Sequence, residues 1–338
     1  MSAWAERYGR LAVRGVRSAE VAKRIALHLL RFERYLESSY GHDRLSTVVR
    51  RDVTGWRDQQ VAAGLAPATV NSHLASLSSF LAWVVVQAPE VLPGGDPGRR
   101  VASVGLPPLE PRALTAAQVR SLKSVVDRLE RFHQLKGRRS ATNGNVHGHG
   151  RPVRDRAIVY TLLSAGLRRE ELTGLDIGQL SPADPAGLRA AKRARLTNVQ
   201  GKGRSRRSVF LSADARTALA DYLEHERPRD ADAETTAMFV SAASVRSRRL
   251  GGRLSPRAIN LILERIGAWH DAEQIEPARR ISPLRPHDLR HTFAFSLSEA
   301  TGANAYELER RLGHRSQRYI ARYTNPPEEV AAGYIEAL

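Results

Sequence analysis

The chain has 338 residues, of which 42% are hydrophobic, so it is long enough for two packed domains and is not disordered as a whole. Its 53 Lys and Arg outnumber 35 Asp and Glu, and the net charge of +18 indicates a polyanionic partner, with nucleic acid as the first candidate. The lack of cysteine in the sequence excludes disulfides, cysteine-based zinc or iron–sulfur sites and a thiol nucleophile.

The N-terminal sequence and the apolar runs do not indicate a membrane protein. The first residues, MSAWAERYGR, lack the apolar stretch of a signal peptide. The longest apolar run, Leu81 to Val86, is far shorter than the ~20 residues that a helix needs to span a bilayer. We therefore expect a soluble, cytoplasmic protein without a membrane partner.

The first third of the chain predicts a small helical domain, residues 1–97. Apolar residues recur at helical spacing over Ala19 to Leu36, a second helix is expected over Asp52 to Ala63, and Pro67 opens a third with an apolar stripe to Val84. The stretch from Ala88 to Arg112 is dense in Pro and Gly and has no sustained period. We expect residues 98–112 to form an interdomain linker.

The second domain, residues 113–338, combines helices with one predicted hairpin. Thr115 and Gln118 have the spacing of a capping box, and Ser212 and Ser255 are candidate N-caps of later helices. Segments 195–199 and 208–211 are predicted strands joined by a glycine-rich turn. The predicted fold class is therefore mainly α with a small antiparallel β-sheet in the C-terminal domain.

Residues 136–152 form a Gly- and Arg-rich segment that contains His147 and His149. Two histidines suggest a metal site, but no carboxylate or third imidazole lies nearby in the sequence. We interpret this segment as a solvated loop and predict no metal.

Two motifs in the second domain contain charged side chains that could form part of a functional site. In Ala165–Leu172 (AGLRREEL), Gly166 ends a helix, and Arg168 and Glu171 are one helical turn apart. The Glu171 carboxylate can therefore fix the Arg168 guanidinium, although a surface ion pair has the same spacing. Lys202 lies between glycines at the predicted hairpin tip, where it can reach far from the sheet or simply be a solvated turn residue.

Two further motifs follow later in the chain. His287 and Arg290 share a helical face that suits a phosphate, although a basic surface helix has the same pattern. Leu312-Gly313-His314 is followed nine residues later by Tyr323. His314 and Tyr323 can converge only if the chain breaks between them, and Gly313 predicts a helix end just before His314.

Together these motifs resemble those of the tyrosine recombinase (phage integrase) family. Each motif is weak by itself, but the Arg–Glu box, the hairpin Lys, the H-x-L-R-H box and the L-G-H box with its Tyr all stand in family order. The likeness extends to the first domain through Gly64–Asn71 and the apolar helix that follows. It implies a two-domain architecture, a helical core-binding domain plus an α+β catalytic domain.

The resemblance implies a site-specific recombinase that cuts and rejoins duplex DNA through a 3′-phosphotyrosyl link and exchanges strands between two sites via a Holliday junction. No metal or other cofactor takes part. The implied roles are Tyr323 as nucleophile, Arg168, Arg290 and His314 as stabilisers of the transition state, His287 as proton acceptor, Lys202 as proton donor to the leaving oxygen and Glu171 as support for Arg168.

The implied partners are double-stranded DNA recombination sites, bound by a homotetramer on two duplexes, and the family's reactions allow accessory proteins. The predicted DNA-contacting residues are Thr69, Asn71, Ser72, His73, Ser76 and Arg204. The apolar tail Val330–Leu338 is expected to dock on a neighbouring subunit.

Three alternatives remain open at the level of sequence. Tyr319 is a rival nucleophile because it also follows His314 closely. A DNA-binding regulator built on a decayed recombinase would lack part of the catalytic set, which is intact here. A type IB topoisomerase shares the tyrosine chemistry, although the helical first domain and the L-G-H spacing favour a recombinase.

Overall fold

The computed structural model describes residues 1–106, 112–131, 150–201, 205–243 and 250–313. The chain divides into two compact units, Met1–Glu110 (unit 1) and Pro111–Leu338 (unit 2). Several residues singled out in the sequence lie outside the described ranges: His147, His149, Lys202, Arg204, His314, Tyr319, Tyr323 and the tail Val330–Leu338.

Unit 1 is helical throughout its described residues, apart from turns and extended connections. Its helices are α1 (Ser2–Tyr8), α2 (Ala19–Tyr40), α3 (Arg50–Ala62) and α4 (Pro67–Gln87), with a π-helical turn at Gly9–Val13 and 3₁₀ turns at Leu45–Thr47 and Pro89–Val91. The three helices predicted from apolar spacing are confirmed. The sequence analysis did not predict α1, whose Tyr8 ring packs 5.5 Å from Phe80 and 5.3 Å from Trp83 at the end of α4.

Helix α4 forms the centre of the unit 1 core. Its Val70, Leu77, Phe80, Leu81 and Val84 are fully buried. Within the described part of the chain, α4 is the one helix long and apolar enough to cross a membrane by length and composition. The apolar stripe is already covered by the rest of unit 1, so the core of the bundle accounts for this composition.

The Pro- and Gly-rich segment after α4 packs against unit 1 as far as it is described. Leu92 is buried, and Val101 and Val104 contact the unit 1 core. The Asn71 side chain binds the backbone of Val104 in both directions, donating from Nδ2 to the carbonyl and accepting the N–H at Oδ1, each at 2.8 Å. Residues 98–104 of the predicted linker are thus held on the first unit.

Helices α2, α3 and α4 enclose a cluster of buried polar side chains. His28 binds Ser76 Oγ through Nδ1 at 2.8 Å, and the ring of His73 is bonded by Gln60 on one side and by Arg31 on the other. The two imidazole rings lie 4.4 Å apart. Burial, followed by the charges of the neighbouring His73 and arginines, lowers the pKa of His28 to about 4; burial and Arg31 also lower that of His73.

This cluster predicts that unit 1 loses stability in mild acid. The unfolded chain binds a proton at His28 near pH 6.5 and the folded chain only near 4, so the stabilisation is complete above 6.5 and declines as the pH falls towards 4. We expect the unfolding temperature to fall over this window and His28→Gln to reduce the slope. Tryptophan fluorescence is a suitable probe because Trp4, Trp56 and Trp83 lie in unit 1.

The matched control is His225→Gln, which removes a histidine from unit 2 whose side chain is 61% exposed. This variant should keep the wild-type slope. A His28→Gln slope equal to that of the wild type would contradict the prediction.

Unit 2 consists of helices packed around a small sheet. Its helices are α5 (Ala116–Asp127), α6 (Pro152–Ala165), α7 (Arg169–Thr173), α8 (Pro185–Ala190), α9 (Ala213–His225), α10 (Arg227–Asp230), α11 (Pro256–Ala272), α12 (Pro286–Ala300) and α13 (Ala305–Leu312), and its strands are β1 (Leu180–Ser181), β2 (Ala194–Gln200) and β3 (Arg206–Leu211). Together with unit 1, this confirms the predicted fold class, mainly α with a small antiparallel sheet.

Strands β2 and β3 form the predicted hairpin, and β1 pairs with the other edge of β2. Both pairings are antiparallel, with Leu180 opposite Leu196 and Val199 opposite Arg207. The register shifts between Leu196 and Val199, where Asn198 has a φ of 53°. Strand β1 was not predicted, because two residues are too few to show an alternating pattern.

Local capping signals place the helices of unit 2. Thr115 Oγ1 accepts the N–H of Gln118 at 3.2 Å and Gln118 Oε1 accepts that of Thr115 at 2.9 Å, which confirms the predicted capping box. Ser212 and Ser255 cap α9 and α11 as predicted. Helix α6 is buried on nearly all sides and packs against α9 and α12, so it forms the centre around which the site residues are arranged.

Candidate active site

The Arg–Glu motif lies at the turn between α6 and α7. Gly166 ends α6 with a φ of 57°, as predicted, and the chain turns so that Arg168 precedes α7. The Glu171 carboxylate accepts two hydrogen bonds from Arg168, one from its backbone N–H and one from Nη1, both at 2.8 Å. The Glu171 side chain is only 3% exposed, which argues against an ordinary surface ion pair.

Helix α12 brings Arg290 to the same carboxylate. Arg290 is buried, and its Nη1 lies 3.8 Å from Glu171 Oε2. It also donates hydrogen bonds to two carbonyl groups, those of Gly166 and Leu312, the latter at 2.6 Å. The motif is therefore not a basic surface helix. Arg290 instead joins the end of α6 to the end of α13.

His287 lies one turn before Arg290 on α12. His287 is exposed, but desolvation by the surrounding protein, followed by the charge of Arg290, lowers the pKa of its imidazole below 6.5. His287 is therefore mainly neutral at pH 7 and above, which is the form that can accept a proton.

The fourth motif is described only as far as Gly313. Helix α13 ends at Leu312, and Gly313 follows with a φ of 63°, which confirms the predicted helix end. The hydrogen bond from Arg290 to the Leu312 carbonyl places this end beside the Arg–Glu motif.

Arg207 on β3 completes the cluster and was missed by the sequence analysis. Its Nη1 and Nη2 donate to Glu171 Oε1 and Oε2 at 2.9 and 2.6 Å, and its Nε donates to the Arg311 carbonyl at 2.8 Å. The strand pattern contained a signal for it, because Arg207 lies on the same face of β3 as the buried Val209 and Leu211. An arginine at an inward-facing strand position needs a buried acceptor.

The charges of the cluster leave a positive excess. Burial raises the pKa of Glu171, but the hydrogen bonds and charge of Arg207, the Arg168 N–H and the charge of Arg290 together lower it to about 2. Glu171 therefore remains ionised between three guanidiniums, those of Arg168, Arg207 and Arg290. One carboxylate among three fixed cations favours the binding of an anion with the charge of a phosphodiester.

The predicted DNA-contacting residues on α4 divide into two groups. Thr69 and Ser72 are exposed. The side chains of Asn71 and Ser76 are bonded within unit 1, and His73 is only 2% exposed with both ring nitrogens bonded. Asn71 binds the Val104 backbone after α4, Ser76 binds His28 on α2, and His73 binds Arg31 on α2 and Gln60 on α3. These hydrogen bonds give the three side chains a structural role, and their contact with DNA stays a prediction from the sequence.

Gly166 gives a test of how the site is built. A Cβ atom at this position would lie 2.2 Å from Cδ1 of Phe293, and the backbone has a positive φ. We expect Gly166→Ala to lower the free energy of unfolding by about 1–3 kcal/mol from the backbone conformation alone, with the clash adding to this loss. Urea unfolding of the full chain measures the effect.

Gly178→Ala serves as the control, because nothing lies within 4 Å of the added atom. It should change the free energy of unfolding by less than about 0.5 kcal/mol. Equal losses in the two variants would contradict the role assigned to Gly166.

Comparison with protein families matches residues 140–329 to the phage integrase family. Among similar proteins, the tyrosine recombinase XerC of Mycobacterium sp. (strain KMS) is 30% identical over 271 residues, which cover 80% of this chain and 76% of that protein. XerC of Myxococcus xanthus is 29% identical over 311 residues, covering 91% and 87%.

Solved structures of similar fold include recombinases bound to DNA. The recombinase XerH bound to a palindromic difH substrate has a TM-score of 0.69 at 17% identity, covering 99% of this chain and 84% of that chain. The Tn1549 transposon integrase in complex with circular intermediate DNA has a TM-score of 0.70 at 18% identity, covering 99% and 98%.

Proposed function

Since the chain belongs to the phage integrase family of tyrosine recombinases, we propose that it is a site-specific recombinase that breaks and rejoins duplex DNA through a covalent tyrosine intermediate. The observation that carries the proposal is the convergence of Arg168 and Arg290 on one buried carboxylate, 2.8 and 3.8 Å away. These residues are 122 positions apart in the sequence. Their convergence provides a fixed cationic site for a phosphate.

Tyr323 is the proposed nucleophile. Its phenol oxygen forms a bond to the scissile phosphorus, the bond from phosphorus to the 5′-oxygen breaks, and a 3′-phosphotyrosyl link remains. The phenol needs a proton acceptor because its ordinary pKa is about 10. Neutral His287 takes this proton, and Lys202 gives one to the departing 5′-oxygen.

Arg168 and Arg290 stabilise the negative charge that develops on the non-bridging oxygens of the phosphorus, and His314 adds a hydrogen bond. The structure supports this role because both guanidiniums are oriented by hydrogen bonds to other groups of the protein. Preorganised donors require little rearrangement in the transition state. No metal or other cofactor enters the proposed reaction.

Unit 1 is proposed to contact DNA through the exposed surface of α2 and α4. Thr69 and Ser72 are exposed there, and Arg24 and Arg31 add positive charge on the neighbouring helix. In unit 2, Arg204 is proposed to contact a phosphate. With a net charge of +18, binding should weaken steeply as the salt concentration rises.

The proposed active form is a homotetramer on two duplexes that exchanges strands via a Holliday junction in the cytoplasm, at the bacterial nucleoid or on a mobile element. Accessory proteins could set its direction, and the tail Val330–Leu338 is proposed to dock on a neighbouring subunit. Residues 1–97 would form the core-binding domain, 98–112 the linker and 113–338 the catalytic domain. The DNA-bound XerH and Tn1549 integrase support recombination-site DNA as the partner.

The proposal is tested by trapping the covalent intermediate. The purified protein is incubated with sheared genomic DNA from the organism that encodes it, denatured, and separated by gel electrophoresis. The DNA ends that remain attached are then sequenced. We expect an adduct that lacks metal dependence and is joined to a small set of related sequences.

Other outcomes identify the alternatives. Specific DNA binding without an adduct would indicate a regulator built on a decayed recombinase. Rapid relaxation of a supercoiled plasmid at many unrelated sequences would indicate a type IB topoisomerase. Either outcome would overturn the proposed recombinase.

A further inference from the structure

Arg207 contacts groups from separate parts of unit 2 at the same time. Its guanidinium forms a two-pronged pair with Glu171, which follows the turn after α6, and its Nε binds the Arg311 carbonyl in the last turn of α13. The Arg207 side chain is 9% exposed and that of Glu171 is 3% exposed. The pair is therefore largely shielded from water. Loss of one partner from such a buried ion pair is costly, because the other charge is left unpaired.

The backbone packs closely around this side chain. A Cβ atom at Gly313 would lie 3.1 Å from Nη1 and 3.2 Å from Cδ of Arg207. A Cβ atom at Gly201 would lie 3.5 Å from both Arg207 Nη1 and Glu171 Oε1. Gly313 thus allows the chain to approach Arg207 more closely than a Cβ atom would, whereas a Cβ atom at Gly201 would make ordinary contact with the Arg–Glu pair.

These glycines are the last described residues before two motifs. Lys202 follows Gly201 at the hairpin, and His314 follows Gly313. A hydrogen bond from Gly201 N–H to the Ser205 carbonyl, at 2.8 Å, joins the two strands where the hairpin turn begins and ends. The Arg–Glu pair therefore lies where the hairpin, the Arg168 turn and the end of α13 meet.

We propose that Arg207 is a positioning residue for DNA cleavage, which fixes Glu171 against Arg168 and at the same time fixes the end of α13 from which the L-G-H motif continues. This inference rests on the recombinase function proposed above. Arg207 acts through its neighbours and need not touch the DNA. Its planar guanidinium is required because one group must bind a carboxylate with two N–H donors and a carbonyl with a third.

The electrostatics of Glu171 agree with this role. Its carboxyl group faces Arg168 at the start of α7, Arg290 on α12 and Arg207 on β3. Burial by itself would favour the neutral acid, and the hydrogen bonds from Arg207 are the strongest influence that opposes it. Without Arg207, Glu171 should take up a proton more readily and hold Arg168 less firmly.

The test compares Arg207→Met and Arg207→Lys with Arg128→Met in the full chain. Arg128 makes a two-pronged pair with Glu273, at 3.0 and 2.7 Å, near the ends of α5 and α11, and this pair is more exposed, with side chains 40% and 33% accessible. The substrate is the duplex recovered by adduct trapping, nicked beside the cleaved phosphate so that the adduct accumulates. DNA affinity and the single-turnover rate of adduct formation are measured separately.

We expect Arg207→Met to lower the rate of adduct formation by about 100-fold, the size of effect that a misplaced catalytic group can cause, with DNA affinity unchanged. Arg207→Lys should recover part of the rate, because an ammonium can pair with Glu171 but lacks the planar fork. Arg128→Met should keep the wild-type rate. Equal rates in the Arg207→Met and Arg128→Met variants would overturn the proposal.

A pH profile and a double mutant separate positioning from a general loss of stability. Relative to the wild type, Arg207→Met should lose more activity as the pH is lowered, because Glu171 then becomes protonated. In the Glu171→Gln background, the same substitution should have little further effect on the rate and on its pH dependence. Fully multiplicative losses in the double mutant would show that Arg207 does not act through Glu171.

Hydrogen–deuterium exchange tests the structural claim without any activity measurement. Amides in segments 168–173 and 309–313 should exchange faster in Arg207→Met and at the wild-type rate in Arg128→Met. If the wild type forms no adduct, the recombinase proposal fails by itself and exchange decides the positioning claim. Unchanged exchange in both segments, or changed exchange with a wild-type cleavage rate, would refute the role of Arg207.

Discussion

Replacement of Tyr323 by Phe is expected to abolish the covalent protein–DNA adduct while specific DNA binding continues. The substitution removes one oxygen, the atom that must form the bond to phosphorus, and leaves the ring in place. Apart from Tyr323, none of the proposed catalytic residues carries a hydroxyl group that could form this bond. The adduct is measured on a denaturing gel and binding by a mobility-shift assay at the same salt concentration.

Tyr319→Phe is the matched control, since Tyr319 also follows His314 closely in the sequence. It should form adduct at a rate near that of the wild type. An adduct that survives in Tyr323→Phe and disappears in Tyr319→Phe would assign the nucleophile to Tyr319. An adduct that survives in both variants would reject a tyrosine at either position.

Glu171→Gln is expected to cause the largest loss of stability among single substitutions in the candidate active site. The amide keeps nearly the same shape but leaves Arg168, Arg207 and Arg290 without the charge that they surround. Removal of one partner from a buried ion pair costs roughly 3–5 kcal/mol. We expect a decrease of that order in the free energy of unfolding, measured with urea and circular dichroism, and an adduct-formation rate lower by about 100-fold because Arg168 loses its support.

Glu170→Gln provides the stability control at the adjacent position. Glu170 pairs with Arg169 at the surface, and its side chain is 63% exposed. Exposed pairs contribute about 0–1 kcal/mol, so this variant should unfold nearly as the wild type does. A Glu171→Gln protein as stable as Glu170→Gln would show that the arginine cluster does not depend on the buried charge.

The free energy of unfolding should also decrease at low pH because of Glu171. A buried carboxyl group that is neutral in the folded protein would have the opposite effect. The pKa of Glu171 falls from its ordinary 4.5 to about 2 on folding. Its contribution is therefore fully present above pH 4.5 and is lost as the pH falls towards 2. His28 in unit 1 titrates at higher pH, so the two effects occupy different parts of the acid range.

Local patterns in the sequence were sufficient for much of the architecture. Apolar spacing and caps such as Thr115 predicted most of the helices, and glycines 166 and 313 predicted the breaks after α6 and α13. These features depend on residues within a few positions of each other. The order of the motifs was sufficient to recognise the family, because motif order does not require knowledge of how the chain packs.

The direction in which individual side chains point was harder to predict. His73, Asn71 and Ser76 share a polar pattern with the exposed Ser72 on α4, yet their side chains are bonded within unit 1. Which polar face of α4 is covered depends on α2 and α3 and on the chain after α4. None of these contacts is encoded in the spacing of the α4 residues themselves.

The sequence by itself thus determined most of the helices, the hairpin, the family and the identity of Arg168, Glu171, His287 and Arg290 as candidates. Only the tertiary structure showed that Arg290 binds the carbonyl of a residue 124 positions away and that Arg207 binds a carboxylate 36 positions away. The physical reason is that periodicity and capping are short-range properties of the chain. The desolvated arginine cluster around Glu171, in contrast, exists only after α6, α12, α13 and the hairpin have packed together.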